Sequence, residues 1–185
     1  CPSGDPFAAR VTISLLRKIL IYENKICVFA HTILQKTLLK GTSCMSQLGT
    51  QSIQFDKPPY ILSSASIVGT KEGEGPLGKL FDVVGKDDQF GENTWEEAES
   101  SLQKEAVTMA IGKAGLKREN IRYIFGGDLL GQSIATTFGI MELNVPLFGL
   151  YGACSTAGES LSLAAMAVAA DYAEQVVAVT SSHFA

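Results

Sequence analysis

Apolar and polar positions recur along the chain with two different periods, which predicts strands and helices in turn. The segment 60–68 (YILSSASIV) is rich in residues that favour β-structure and follows two prolines, so we expect a strand there. Residues 102–114 carry apolar side chains at helical spacing, on one face of a helix. Thr94 and Glu97 form a capping box that predicts where this helix begins, and Gly115 predicts where it ends.

The same alternation continues to the end of the chain. Further strands are predicted at 121–125, 146–150 and 175–180, and further helices at about 132–142 and 155–173. Strand–helix–strand units of this length favour right-handed crossovers and a mostly parallel sheet. The predicted fold class is therefore α/β.

A glycine-rich segment at 73–78 (GEGPLG) has the spacing of a dinucleotide-binding loop. Such a loop needs glycines that open a helix, so that the helix N-terminus meets the pyrophosphate. Here Pro76 lies inside the turn, Glu74 would repel phosphate, and no amphipathic helix follows. We therefore interpret 73–78 as a surface loop rather than a nucleotide site.

Residues 1–44 differ in charge from the rest of the chain. They carry six basic and two acidic residues, whereas residues 45–185 carry nine basic and seventeen acidic ones. The apolar stretch 11–39 is interrupted by charges, which is compatible with an amphipathic helix and not with a secretory signal. The alternative that we favour is a non-native extension, translated from an upstream frame ahead of Met45. We therefore divide the chain into an extension, 1–44, and a domain, 45–185.

Composition and charge exclude several classes of function. The chain has 185 residues, 46% of them apolar, with a net charge of −4 and no cluster of lysine and arginine that would bind nucleic acid. No run of about eighteen uncharged apolar residues is present, so we expect no transmembrane segment. The four cysteines show neither a CxxC pair nor a Cys/His cluster, which argues against a zinc site and a disulfide framework. We expect no metal site and no cofactor.

The segment 151–158 (YGACSTAG) is the strongest candidate for chemistry. It places Cys154 in a turn of small residues between an apolar run and a long helix. The positive end of a helix dipole favours a thiolate, and such a turn can expose the sulfur as a nucleophile. The backbone N–H groups of Ser155 and Thr156 are expected to lack intrahelical partners, so that they can bind a carboxylate or an oxyanion. The alternative is a buried structural cysteine.

Two further polar residues follow predicted strands. Asp128 comes after Gly126-Gly127, and His183 follows the last strand. Ligands gather at the carboxyl edge of a parallel sheet, so we expect Asp128, His183 and the Cys154 turn to converge there. The alternatives are that Asp128 caps the following helix and that His183 is a hydrogen-bonded structural group.

Several motifs resemble known families. The segments 127–132 (GDLLGQ) and 152–158 (GACSTAG) resemble the N-terminal half of the thiolase/ketosynthase superfamily. The segments 71–79 (KEGEGPLGK) and 149–155 (GLYGACS) resemble more closely the stage V sporulation protein AD family of endospore-forming bacteria. This closer resemblance covers essentially all of 45–185.

The resemblance implies a thiolase-like fold, in which two α/β halves pack in a layered αβαβα arrangement, and this chain corresponds to the first, incomplete half. It implies a protein that binds dipicolinic acid (pyridine-2,6-dicarboxylate), for uptake into the developing spore and release on germination. It also implies peripheral attachment to the inner membrane of the forespore and spore, with other proteins of the same operon as partners. Calcium is expected only as the dipicolinate chelate. The residues predicted to form the ligand site are Tyr151, Cys154, Ser155, Thr156, Asp128 and His183.

Two other functions stay open. In thiolase-type enzymes the cysteine accepts the acyl group, so Cys154 could serve a ketosynthase-like acyltransferase. The resemblance implies that the acid/base residues of such an enzyme lie in the second half, which disfavours catalysis by the residues present. The third reading is an assembly module, whose Ala-rich helix at 160–170 packs in a homodimer or in a spore membrane complex.

Overall fold

The computed structural model describes residues 27–35, 45–129 and 131–183, and within them a mixed sheet carries helices on both faces. The strands are β1 (Cys27–Gln35), β2 (Met45–Leu48), β3 (Ser52–Phe55), β4 (Tyr60–Val68), β5 (Val83–Val84), β6 (Tyr123–Asp128), β7 (Leu147–Gly149) and β8 (Gln175–Ser182). The α-helices are α1 (Thr70–Gly73), α2 (Trp95–Lys113), α3 (Ile134–Met141) and α4 (Thr156–Ala169).

Six of the strands form one sheet in the order β5-β4-β1-β8-β6-β7, and β2 pairs with β3 in a separate hairpin. The pairs β4–β5, β6–β8 and β6–β7 are parallel, whereas β1 runs antiparallel to both of its neighbours, β4 and β8. Helices follow β4, β6 and β7 in chain order, as the alternation in the sequence predicts. The α/β class with a mostly parallel sheet is therefore confirmed.

The strand β1 lies inside the segment for which an amphipathic helix was one prediction, and over these residues that prediction is wrong. Ile33 is fully buried against the side of the sheet that carries α2, and Leu34 is buried against the side that carries α4. Because consecutive residues of a strand point to opposite faces, an apolar pair of this kind suits a strand that is covered on both sides. Whether 1–44 is a non-native extension stays a prediction, and 1–26 and 36–44 lie outside the described residues.

The core has two parts, one on each face of the sheet. Helices α2 and α3 pack on one face, where Val177 and Val179 of β8 are buried with residues of α2. Helix α4 packs on the other face, where Val176 and Ala178 are buried with Ala164 and its neighbours. The alternation along β8 therefore decides which face each residue after it can reach.

Both predicted ends of α2 are confirmed. The Thr94 hydroxyl accepts a hydrogen bond from the Glu97 N–H at 3.2 Å, which satisfies one of the free donors of the first turn. Gly115 adopts a left-handed conformation at φ +67°, and Leu116 N–H donates to the Ile111 carbonyl at 3.1 Å. This 6→1 bond is the Schellman motif that a glycine after the helix allows.

Other element boundaries differ from the prediction. Strand β6 continues through Gly126-Gly127 to Asp128, and the β2–β3 hairpin was not predicted. The glycine-rich segment 73–78 folds back on itself so closely that a side chain on Gly78 would collide with the Gly73 carbonyl oxygen. Its glycines therefore permit close backbone packing. Within the described part of the chain, no helix combines the length and the apolar character needed to span a membrane.

Candidate functional site

The cysteine turn connects β7 with α4 at the carboxyl edge of the sheet. A 3₁₀ turn at Ala153–Ser155 precedes the helix, and Cys154 at its centre is exposed. Ala153 adopts φ +49°, a left-handed conformation that costs energy for a residue with a side chain. The exposed thiol agrees with the expectation of an accessible sulfur and excludes the buried structural cysteine.

The expected free N–H groups at this turn are not observed. Ser155 N–H donates to the Gly152 carbonyl at 3.0 Å, and Thr156 N–H donates to the Ala153 carbonyl. The 3₁₀ turn supplies these partners, so the prediction that both groups are open to an anion is wrong. The Thr156 side chain also faces inward, because it is buried and its hydroxyl accepts from Gly152 N–H at 3.1 Å.

A carboxylate that the sequence reasoning missed lies beside the turn. The Ser155 hydroxyl contacts both the Gly152 carbonyl, at 2.6 Å, and the Glu159 carboxylate. Glu159 belongs to the first turn of α4, where a negative charge interacts favourably with the helix dipole. The signal in the sequence was its position four residues after Ser155. Glu159 offsets part of the positive potential that would attract an anion to Cys154.

Asp128 is fully buried and caps helix α3. One carboxylate oxygen accepts from Ser133 N–H at 3.1 Å, and the other accepts from the N–H and the hydroxyl of Thr136 at 3.0 and 2.8 Å. The contacts support the capping alternative that the sequence left open. Direct contact of Asp128 with a ligand stays a prediction that no observed contact supports.

His183 is buried on the opposite side of the sheet from α4. Its Nδ1 atom pairs with the Glu99 carboxylate of α2, and its ring lies parallel to that of Trp95, with centroids 6.2 Å apart and planes 6° apart. The hydrogen bond that the His183 ring donates to Glu99 raises the pKa of His183 above its ordinary value, against the opposing effect of burial. The α2 face of the sheet is shared by the alternate residues 177, 179 and 181 of β8 and by His183, which directly follows the strand. Helix α4 lies on the other face. The structure thus does not bring the His183 ring to the Cys154 turn.

Two residues of α2 that hold this region were missed. Glu99 and Gln103 are fully buried, and Gln103 donates through its amide nitrogen to the hydroxyls of Thr136 and Ser181. Both occupy the face of α2 that otherwise carries apolar residues. A glutamate and a glutamine four residues apart on an apolar helix face were the available signal.

A cavity lies at the other edge of the sheet. It has a volume of about 580 Å³ and lies at the amino ends of β6, β7 and β8, with Arg118, Arg122 and Tyr172 in its wall. The cysteine turn is at the carboxyl ends of the same strands. In the described ranges, moreover, no group of three or more His, Cys, Asp or Glu side chains could hold a metal ion.

Fold and site together define an α/β protein that presents an exposed cysteine in a strained turn, with a buried glutamate–histidine pair on the opposite face of its sheet. The model of the family Stage V sporulation protein AD (SpoVAD) matches residues 49–185. The curated Stage V sporulation protein AD of Bacillus subtilis (strain 168) is 35% identical over 139 residues, which are 75% of this chain and 41% of the relative. The chain therefore belongs to the Stage V sporulation protein AD family, and it spans about two fifths of the length of this curated relative.

Proposed function

We propose that this sporulation protein binds dipicolinic acid, for its uptake into the developing spore and its release on germination. The observation that carries the proposal is the family match, because the matched residues 49–185 contain the whole cysteine turn. The thiolase-like architecture, with this chain as the first of two halves, belongs to the same proposal. The chain covers 41% of the curated relative, so further ligand contacts are expected from the remainder of a full-length family member.

The turn offers part of what a flat aromatic dianion needs. Such a ligand requires an apolar surface for its ring and donors for its carboxylates. Tyr151 is exposed beside Cys154, and the positive end of α4 points toward the same surface. The negative charge of Glu159 repels the dipicolinate dianion. Calcium enters the proposal only as the calcium–dipicolinate chelate, in which the ion offsets the charge of the ligand.

Binding is favoured over acyl transfer by the surroundings of Cys154. An acyl-accepting cysteine needs a general base within hydrogen-bonding distance. Among the described residues no histidine or carboxylate bonds to the thiol, and the His183 imidazole is engaged with Glu99. The acyltransferase reading therefore has no support from these contacts.

The location and the partners follow from the same family proposal. We place the protein at the inner membrane of the forespore and spore, attached peripherally, in a complex with other proteins of its operon. A homodimer built around the Ala-rich part of α4 is the second proposal on assembly. Leu163 is exposed on that helix, and no charged residue occurs between Ser160 and Ala169.

Isothermal titration calorimetry with dipicolinate tests the proposed function. We expect saturable binding of dipicolinate, weaker binding of benzene-1,3-dicarboxylate, which lacks the ring nitrogen, and weaker binding of pyridine-2-carboxylate, which lacks one carboxylate. The Cys154→Ala variant is expected to bind dipicolinate less tightly, because the thiol lines the site. Equal affinity for all three compounds, or unchanged affinity in the variant, would place the ligand elsewhere.

The Glu159→Gln substitution is expected to tighten dipicolinate binding about fivefold, because it removes a negative charge worth roughly 1 kcal/mol of repulsion near the protein surface. The same titration measures the change, at low and high salt. Glu105→Gln, which removes an exposed charge on α2, is the matched control and should leave the affinity unaltered. Equal effects of the two substitutions would mean that only net charge matters.

A further inference from the structure

Residues 131–133, just before α3, pack around the Asp128 carboxylate. Gly131 lies close enough to this carboxylate that a side chain there would crowd it. Gln132 and Ser133 follow with φ of +51° and +72°, two consecutive residues in the left-handed region. Such a pair is unfavourable for residues with side chains and persists only where other contacts impose it. Here the bond from Ser133 N–H to Asp128, at 3.1 Å, is one of those contacts.

The Ser133 side chain reaches the cysteine turn. Its hydroxyl donates to the Leu150 carbonyl at 3.4 Å, one residue before Tyr151. Leu150 N–H in turn donates to the Gly126 carbonyl at 2.9 Å. A side chain on Gly127 would collide with the Leu150 carbonyl oxygen, so the two backbones approach as closely as they can. The start of the turn is therefore fixed from both β6 and the Ser133 loop.

Asp128 is itself fixed by a chain of buried hydrogen bonds. The Thr136 hydroxyl donates to Asp128, and it accepts from the Gln103 amide. The same amide donates to Ser181, whose hydroxyl donates to Glu99. The carboxylates of Asp128 and Glu99, at the two ends of this chain, can only accept. The hydroxyls of Thr136 and Ser181 therefore donate to them and accept the two amide protons of Gln103.

From this geometry we propose that Asp128 and Ser133 are positioning residues for the ligand site at the Cys154 turn. Asp128 holds the left-handed loop, and the Ser133 hydroxyl holds the Leu150 carbonyl, so that Tyr151 and Cys154 keep their places. Asp128 acts through Ser133 and has no contact with the ligand. The inference rests on the proposed function for the identity of the ligand, and on the contacts alone for the ordering of the turn.

Hydrogen exchange of the 185-residue protein, read by mass spectrometry of peptides, tests the ordering. Ser133→Ala is expected to accelerate exchange in the peptide covering 150–156 by roughly three- to tenfold, the effect of one lost hydrogen bond between neutral groups. The amides of β8 should keep their wild-type rates. Ser133→Gly also lacks the hydroxyl, and it relieves the left-handed strain as well. It should nevertheless behave like Ser133→Ala, because the lost hydroxyl is what frees the turn. Asp128→Asn should give a larger effect in the same peptide.

Dipicolinate affinity, measured for the same Ser133 variants, separates the two levels of the proposal. We expect a weakening of roughly three- to tenfold in both variants. Thr108→Ala, which removes an exposed hydroxyl from α2, is the control and should change neither exchange at the turn nor affinity. Unchanged exchange at 150–156, or equal acceleration throughout β8, overturns the positioning role. Accelerated exchange with unchanged affinity in the Ser133 variants overturns the link between the positioning role and the ligand. A wild-type protein that binds no dipicolinate overturns the proposed function, while the exchange result stands.

Discussion

Replacement of His183 by leucine is expected to lower the free energy of unfolding by about 3–5 kcal/mol at pH 6, because removal of one partner leaves a buried charge uncompensated. The charge concerned is the Glu99 carboxylate, which is fully buried and is the partner of His183 Nδ1. Urea denaturation followed by tryptophan fluorescence measures the loss, since Trp95 lies against the His183 ring.

The double variant His183→Leu/Glu99→Leu is the control. It removes both charges, so it should be more stable than the single variant, although Ser181 then loses the acceptor of its hydroxyl. If His183→Leu is no less stable than the double variant, the Glu99 carboxylate is not a buried charge that His183 compensates.

The same pair predicts how stability varies with pH. The hydrogen bond to Glu99 raises the pKa of His183 in the folded state above the ordinary value of 6.5. Its contribution to stability is therefore fully present below pH 6.5 and is lost as the pH rises through the folded-state pKa. In Glu99→Gln the main cause of the raised pKa is absent, so the loss of stability on the alkaline side should become smaller. A wild-type profile that rises between pH 6.5 and 9 would contradict the assignment.

The second large effect is expected for Gln103→Glu, which should destabilise the protein by several kcal/mol at pH 8, as burial of an unpaired charge does. The Gln103 amide nitrogen donates to the hydroxyls of Thr136 and Ser181. A carboxylate in its place has no proton to donate, and both hydroxyls already donate to other carboxylates. Thermal unfolding and urea denaturation at pH 8 measure the loss.

Gln103→Leu is the matched control for this variant. It introduces no charge and removes the Gln103 Oε1 acceptor, which is buried and has no hydrogen-bond partner among the described residues. We expect a cost of about 1–2 kcal/mol from the two lost hydrogen bonds, partly offset by removal of that acceptor. Burial raises the pKa of the introduced carboxyl, so its penalty should shrink as the pH falls through that pKa. Equal instability of the two variants at pH 8 would contradict the charge explanation.

Much of the fold could be predicted because its signals are local. The capping position of Thr94 and the glycine after α2 act within a few residues, and both are observed. The strand at Tyr60–Val68 follows from β-favouring residues behind two prolines. The strand β1 could not be predicted in the same way. Its formation depends on pairing with β4 and β8, which lie 25 or more residues away in sequence.

The candidate site shows the same division between local and distant contacts. Exposure of Cys154 follows from a small-residue turn before a helix, and the structure agrees. The hydrogen-bonding state of Ser155 and Thr156 depends on whether the first turn is α or 3₁₀, which the residue types do not decide. The environments of Asp128 and His183 depend on α2 and α3, which pack against the strand ends from elsewhere in the chain.

By itself, the sequence determined the α/β class, the helices α2–α4, the strands β4, β6, β7 and β8, the family and the position of the cysteine turn, because each depends on periodicity or on a contiguous motif. Only the tertiary structure decided which residues after the strands share a side of the sheet. Successive residues of a strand alternate between faces, so a register of one residue separates the surface beside α4 from the core beside α2. For this physical reason Asp128 and His183, which lie at the same edge of the sheet as the exposed Cys154 turn, belong to a buried hydrogen-bonded chain.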